Sequence, residues 1–95
     1  MVPKLVNKRT ARPREGDVYI GRPSLFGNPF ETGTAGTRAE VIAKYKQYFE
    51  ERIGRDLAFR TAVDALAAVP RLVCWCTPLP CHGQVIIDYL KNKET

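Results

Sequence analysis

All three cysteines, the single histidine and the single tryptophan of this chain fall in one stretch, Leu72-Val73-Cys74-Trp75-Cys76-Thr77-Pro78-Leu79-Pro80-Cys81-His82-Gly83. Adjacent thiol and imidazole groups can act as nucleophile and proton acceptor, or as a hydrogen-bonding pair facing a ligand. Cys81 stands where a following helix begins, and a helix N-terminus favours thiolate over thiol. The plain alternative is a small packing residue. Four sulfur and nitrogen donors also raise zinc, but the spacing argues against it. There is no Cys-x-x-Cys knuckle, and adjacent Cys81 and His82 must fold back sharply to share one ion. No metal and no other cofactor is expected.

A second set of candidates lies between Tyr19 and Arg38. Arg22 can fork onto a phosphate or carboxylate. Phe26 and Phe30 can stack on a ring. Asn28 can tie the backbone locally or offer its amide to a ligand. Arg38 opens a helix, where a cation suits the dipole poorly unless it reaches an anion. Tyr19, Gly21, Gly27 and Pro29 belong to the same run, and Cys76, Pro78 and Gly83 to the first one. The amides of both helix starts are further anion donors.

The elements that must position these groups follow from periodicity. Leu5-Val6 is a short strand, and Asp17–Arg22, with Val18, Tyr19 and Ile20, a better one. Residues 23–36 form a long loop with three glycines and two prolines, and such loops are usually functional. Thr37-Arg38-Ala39-Glu40 is a capping box. Val41, Tyr45, Tyr48, Phe49 and Ile53 then make one apolar stripe, with Gly54 as C-cap. Asp56 caps a second helix whose buried side is Leu57, Phe59, Val63 and Leu66, and Pro70 stops it. Leu72–Cys76 is apolar on both faces, so Trp75 reads as packed against a helix, with stacking on a ligand's ring as the alternative. Gln84–Lys91 is the last helix, with Val85, Ile86, Tyr89 and Leu90 inward. The order β-β-loop-α-α-β-α predicts an α/β fold, a short sheet flanked by helices in a single domain over residues 1–95.

Composition narrows the partners. The 95 residues carry a net charge of +5, and Lys8-Arg9-Thr10-Ala11-Arg12-Pro13-Arg14 holds four cations and no acid. Such an excess favours anionic partners. That run has no interleaved aromatic residue, which counts against a surface for single-stranded nucleic acid. No apolar run approaches a membrane span, and the first residues lack a signal peptide's apolar region, so no membrane partner and a cytoplasmic location are expected.

The motifs Val18-Tyr19-Ile20-Gly21-Arg22, Phe26-Gly27-Asn28-Pro29-Phe30 and Cys74-Trp75-Cys76-Thr77-Pro78-Leu79-Pro80-Cys81-His82-Gly83 together resemble domain-of-unknown-function family 4326, a set of small phage and bacterial proteins. The family pattern often has tryptophan where Phe26 stands. The resemblance implies a compact α/β domain with both motifs near one pocket, and supplies no reaction. The leading expectation is a domain that binds a small anionic ligand, a nucleotide or nucleotide derivative. In a phage protein one use would be to sequester a host signalling nucleotide. The alternatives are an enzyme acting on such a ligand through Cys81 and His82, and a basic module for nucleic acid. A homodimer with a shared pocket is a further expectation, since so short a chain encloses little volume.

Overall fold

The computed structural model describes residues 2–75, 79 and 81–94. Strands β1 (Lys4–Asn7), β2 (Val18–Tyr19) and β3 (Arg71–Cys74) form one sheet in the order β1-β3-β2, with both pairs parallel. Helices α1 (Arg38–Arg55), α2 (Leu57–Ala65) and α3 (Gly83–Glu94) complete an α/β fold, and a 3₁₀ turn, Leu66–Ala68, follows α2. Leu5 and Val18 flank Leu72, while Val6 and Tyr19 flank Val73. Among the described residues no helix is long and apolar enough to cross a membrane.

Local chemistry sets the helix ends. Thr37 Oγ1 accepts the Glu40 N–H at 3.3 Å and the Glu40 carboxylate accepts the Thr37 N–H at 3.0 Å, so the capping box is complete. Gly36, at φ 137°, supplies the backbone that leads into it. Gly54 is not the stop that its position suggests. The helix runs through it to Arg55, because Asp56 does two jobs. Its N–H donates to Arg52 O, ending α1, and its carboxylate accepts the Phe59 N–H at 3.0 Å, starting α2.

The core joins the two buried residues of β3, Leu72 and Cys74, to Ile20 and to the inner faces of the helices. Val41, Tyr45 and Phe49 of α1 are buried, and Tyr48 and Ile53 pack at the margin. In α2 and its extension Phe59, Val63 and Leu66 are buried, whereas Leu57 is exposed. As first residue of α2 it points off the stripe that Phe59 and Val63 define. In α3 Ile86, Ile87 and Leu90 form the buried face, with Val85 and Tyr89 half-buried.

The sheet is not covered equally on its two sides. Leu72 and Cys74 are fully buried, but Val73 is only half-buried and Trp75 is 51% exposed. Trp75 therefore does not pack into the core. It follows the last residue of β3 and faces a cavity at the carboxyl edge of the sheet. Cys76 and Pro78 lie outside the described residues, as do Thr77 and Pro80.

Candidate functional site

Because the three strands are parallel, their carboxyl ends open on one edge, where α/β proteins gather ligands. Five segments meet there: the end of β2, Trp75 after β3, the loop 21–36, the first turns of α1, and the start of α3. They enclose a cavity of about 370 Å³, within the range of small-molecule sites. Of the residues singled out from sequence, Tyr19, Gly21, Arg22, Asn28, Phe30, Arg38, Cys81 and His82 line it. Thr32, Val41, Ile42 and Trp75 line it too.

His82 is the best-defined group at this place. It is 8% exposed, and its Nε2 lies 2.8 Å from Ile20 O. A carbonyl only accepts, so Nε2 carries the proton and donates. Burial, reinforced by the Arg22 charge and opposed by the Ile20 hydrogen bond, holds the imidazole pKa below its usual value. The neutral ring thus presents the Nδ1 lone pair to Cys81 Sγ at 3.5 Å. Its edge meets the Tyr45 ring, with centroids 5.0 Å apart at 75°.

Cys81 itself is buried, and its sulfur accepts the Gly83 N–H at 3.4 Å. The amides of Gln84 and Val85 donate to Cys81 O and His82 O. The first turn of α3 has thus used these three N–H groups internally, and they are not donors to an anion. Gly83 is a packing residue: a Cβ there would meet Leu5 Cδ1 at 2.6 Å and Ile20 Cδ1 at 2.7 Å. Its hydrogen side chain lets α3 settle against the sheet.

The loop after β2 is anchored from within. Asn28 Nδ2 donates to Val41 O at 3.1 Å, and Asn28 Oδ1 accepts the Phe30 N–H at 2.9 Å. Asn28 therefore clamps the loop to α1. Tyr45 Oη donates to Phe26 O at 2.9 Å, a second clamp. Phe26 turns its ring into the core, 6.5 Å from Phe59, and is no stacking surface. Gly27 lies against Arg22, where a Cβ would come within 3.1 Å of its backbone, and Pro29 is exposed. Neither belongs to the cavity wall.

Two cations reach the cavity. Arg22 Nη1 pairs with Glu31 Oε1 at 2.8 Å, with both side chains more than half exposed. Such a pair contributes at most about 1 kcal/mol and yields to a better anion. Arg38, half-buried in the first turn of α1, is the other.

Trp75 and Tyr19 form the rim. The Trp75 indole N–H donates to Tyr19 Oη at 3.0 Å, and the Tyr19 hydroxyl donates to Arg22 O at 2.9 Å. The Tyr19 ring folds back over Gly21, where an added Cβ would stand 2.3 Å from its oxygen. Lys8 Nζ lies 5.2 Å from the Tyr19 ring centre and 6.0 Å from that of Trp75. Among the described residues no group of three or more His, Cys, Asp or Glu side chains is placed to hold a metal ion.

The chain matches, over residues 4–92, a family profile described as a domain of unknown function (DUF4326). It is also similar to an uncharacterised 12.4 kDa protein from the nrdA-td intergenic region of Enterobacteria phage T4. The two are 34% identical over 83 residues, which is 87% of this chain and 72% of the phage protein. No solved structure matches the chain.

Proposed function

We propose, for a chain that belongs to domain-of-unknown-function family 4326, that the cavity at the carboxyl edge of the sheet binds a small anionic ligand, a nucleotide or nucleotide derivative. One observation carries the reading. Arg22 and Arg38 line the same cavity as the aromatic rings of Tyr19, Phe30 and Trp75. Guanidinium groups take phosphate in a forked geometry, and aromatic faces take a base. The resemblance to a phage protein makes capture of a host signalling nucleotide one use of such a domain. A second copy closing over the open edge would enlarge the site.

Calorimetric titration of a panel of nucleoside mono-, di- and triphosphates tests this, with Arg22→Ala and Arg38→Ala beside the wild type. A hydrogen bond to a charged group contributes about 1.5–3 kcal/mol, so each variant should bind roughly ten- to a hundredfold more weakly. Absence of heat across the whole panel, with no ligand mass on protein purified from cells in native mass spectrometry, rejects the reading. The same spectra count subunits.

A second reading, chemistry at the Cys81 thiol, is favoured by the order Ile20 carbonyl, His82 imidazole, Cys81 sulfur. The carbonyl fixes the tautomer, and the thiol proton can pass to Nδ1. Carboxamidomethylation by iodoacetamide, mapped by mass spectrometry, is then faster at Cys81 than at buried Cys74. His82→Gln should slow Cys81 by roughly tenfold, the effect of one pKa unit on the thiolate fraction. Equal rates in variant and wild type leave Cys81 as a packing residue.

A further inference from the structure

Trp75 is half exposed and yet fixed. An exposed indole offers a flat aromatic face on which a ring can stack. Its indole N–H is tied to Tyr19, Tyr19 is tied to the Arg22 carbonyl, and Asn7 Nδ2 donates to Trp75 O at 3.2 Å. The ring is thus held as a preorganised flat surface at the cavity rim. Lys8 Nζ lies over both rings, 5.2 Å from the Tyr19 centre and 6.0 Å from that of Trp75, so a cation already stands at the platform.

Lys8 also begins the basic run. The chain leaves the carboxyl edge at Lys8, whose N–H donates to Cys74 O, and returns to the opposite edge to start β2. It is pinned on the way: Arg71 Nη2 donates to Arg12 O at 2.7 Å, and the Arg14 N–H donates to Asp17 Oδ2 at 2.9 Å. Lys8, Arg9, Arg12 and Arg14 are all exposed. The cations therefore span the height of the sheet, about 13 Å for four residues of strand, starting at the platform. The aromatic component that the basic run lacks in sequence is supplied in space by Tyr19 and Trp75.

Resting on the nucleotide reading of the cavity, we infer that its ligand is the end of a single-stranded nucleic acid. One nucleotide occupies the cavity, the next base stacks on Trp75, and the phosphates beyond it follow Lys8, Arg9, Arg12 and Arg14. Stacking on aromatic side chains with a cationic track for the backbone is how single strands are held without sequence readout.

Trp75 is the single tryptophan, so its fluorescence reports on the platform directly. Wild-type protein is titrated with an oligodeoxythymidylate of about ten nucleotides and with thymidine 5′-monophosphate, each at several salt concentrations. The oligonucleotide should quench Trp75 and bind at least tenfold more tightly than the mononucleotide. Each phosphate neutralised on a single strand contributes about −0.7 to the slope of log K against log salt, so three or four contacts give about −2 to −3. Combined Lys8→Ala, Arg9→Ala, Arg12→Ala and Arg14→Ala, checked for fold by circular dichroism, should remove most of that slope; if that variant does not fold, the wild-type slope decides. Mononucleotide binding without oligonucleotide preference overturns the inference and leaves the nucleotide reading intact. Oligonucleotide binding with no response to the mononucleotide keeps the track and removes the cavity reading. Silence with both probes overturns both.

Discussion

Tyr45→Ala should cost about 3–5 kcal/mol of stability, the range for removing a large buried aromatic, and lower Tm by roughly 15–30 °C in a domain of this size. Tyr45 is fully buried, and its ring meets those of Tyr48, Phe49 and His82. Its hydroxyl holds the loop at Phe26 O, and burial pushes the phenol pKa up, so it stays a donor. Tyr45→Phe separates the two roles. The ring contacts survive, and the loss is about 1–3 kcal/mol for an orphaned carbonyl. The loop 21–36 should then exchange its amides faster while the sheet stays protected. A Tyr45→Ala protein that melts within a few degrees of wild type would show that the core has been misread.

Stability should fall with acid in two separate steps. His82 is the single histidine, and burial holds its folded pKa below 6.5. The unfolded chain binds that proton first, so the contribution of neutral His82 is present above about pH 6.5 and is lost as pH falls towards the lowered folded value. Asp17 gives the second step. Its carboxylate accepts from Arg71 Nε at 2.8 Å and Nη2 at 2.7 Å, and from the Arg14 N–H, which brings its pKa to about 2. Its contribution is present above the ordinary carboxylate value of about 3.9 and is lost as pH falls through about 2. Glu40 and Asp56, both lowered by cap hydrogen bonds, add to this lower step. Urea midpoints at about pH 7.5, 5.5 and 3 resolve the two. His82→Asn should flatten the upper interval and Asp17→Asn should shrink the lower one. A wild-type midpoint that does not change between about pH 7.5 and 5.5 contradicts the assignment of His82 as buried and neutral.

What the sequence disclosed was local. Thr37 and Glu40 declare the start of α1 because both halves of a capping box lie within one turn. Val41, Tyr45 and Phe49 declare its buried face by spacing alone. Long-range contacts were hidden. Asn28 reads either as a local backbone tie or as a ligand-facing amide; its bond to the Phe30 N–H is the local tie, whereas the one to Val41 O needs α1 in place. Phe26 is drawn inward by Phe59, a residue on another element. Trp75 reads as interior from its alternation with Cys74, but the pattern does not say that a cavity faces it. Thr32, Val41 and Ile42 carried no signal as cavity walls, since a helix face turned towards a loop looks like any other. The first turn of the last helix reads as a set of free amide donors, but those of Gln84 and Val85 serve the carbonyls of Cys81 and His82.

The strand order has a consequence for how this chain acquires its structure. β1 and β2 do not pair with each other; each pairs with β3, whose partner for Lys4 is Arg71. During synthesis the first two strands therefore emerge with no ladder available to them. Both helices that precede Arg71 can form by local contacts, whereas every sheet hydrogen bond waits for the final quarter of the chain. The residues that complete the sheet, Arg71–Cys74, are followed directly by the segment that delivers Cys81 and His82 to the cavity. The site is therefore completed only after every strand of the sheet is available, and a nascent chain halted short of Arg71 has neither.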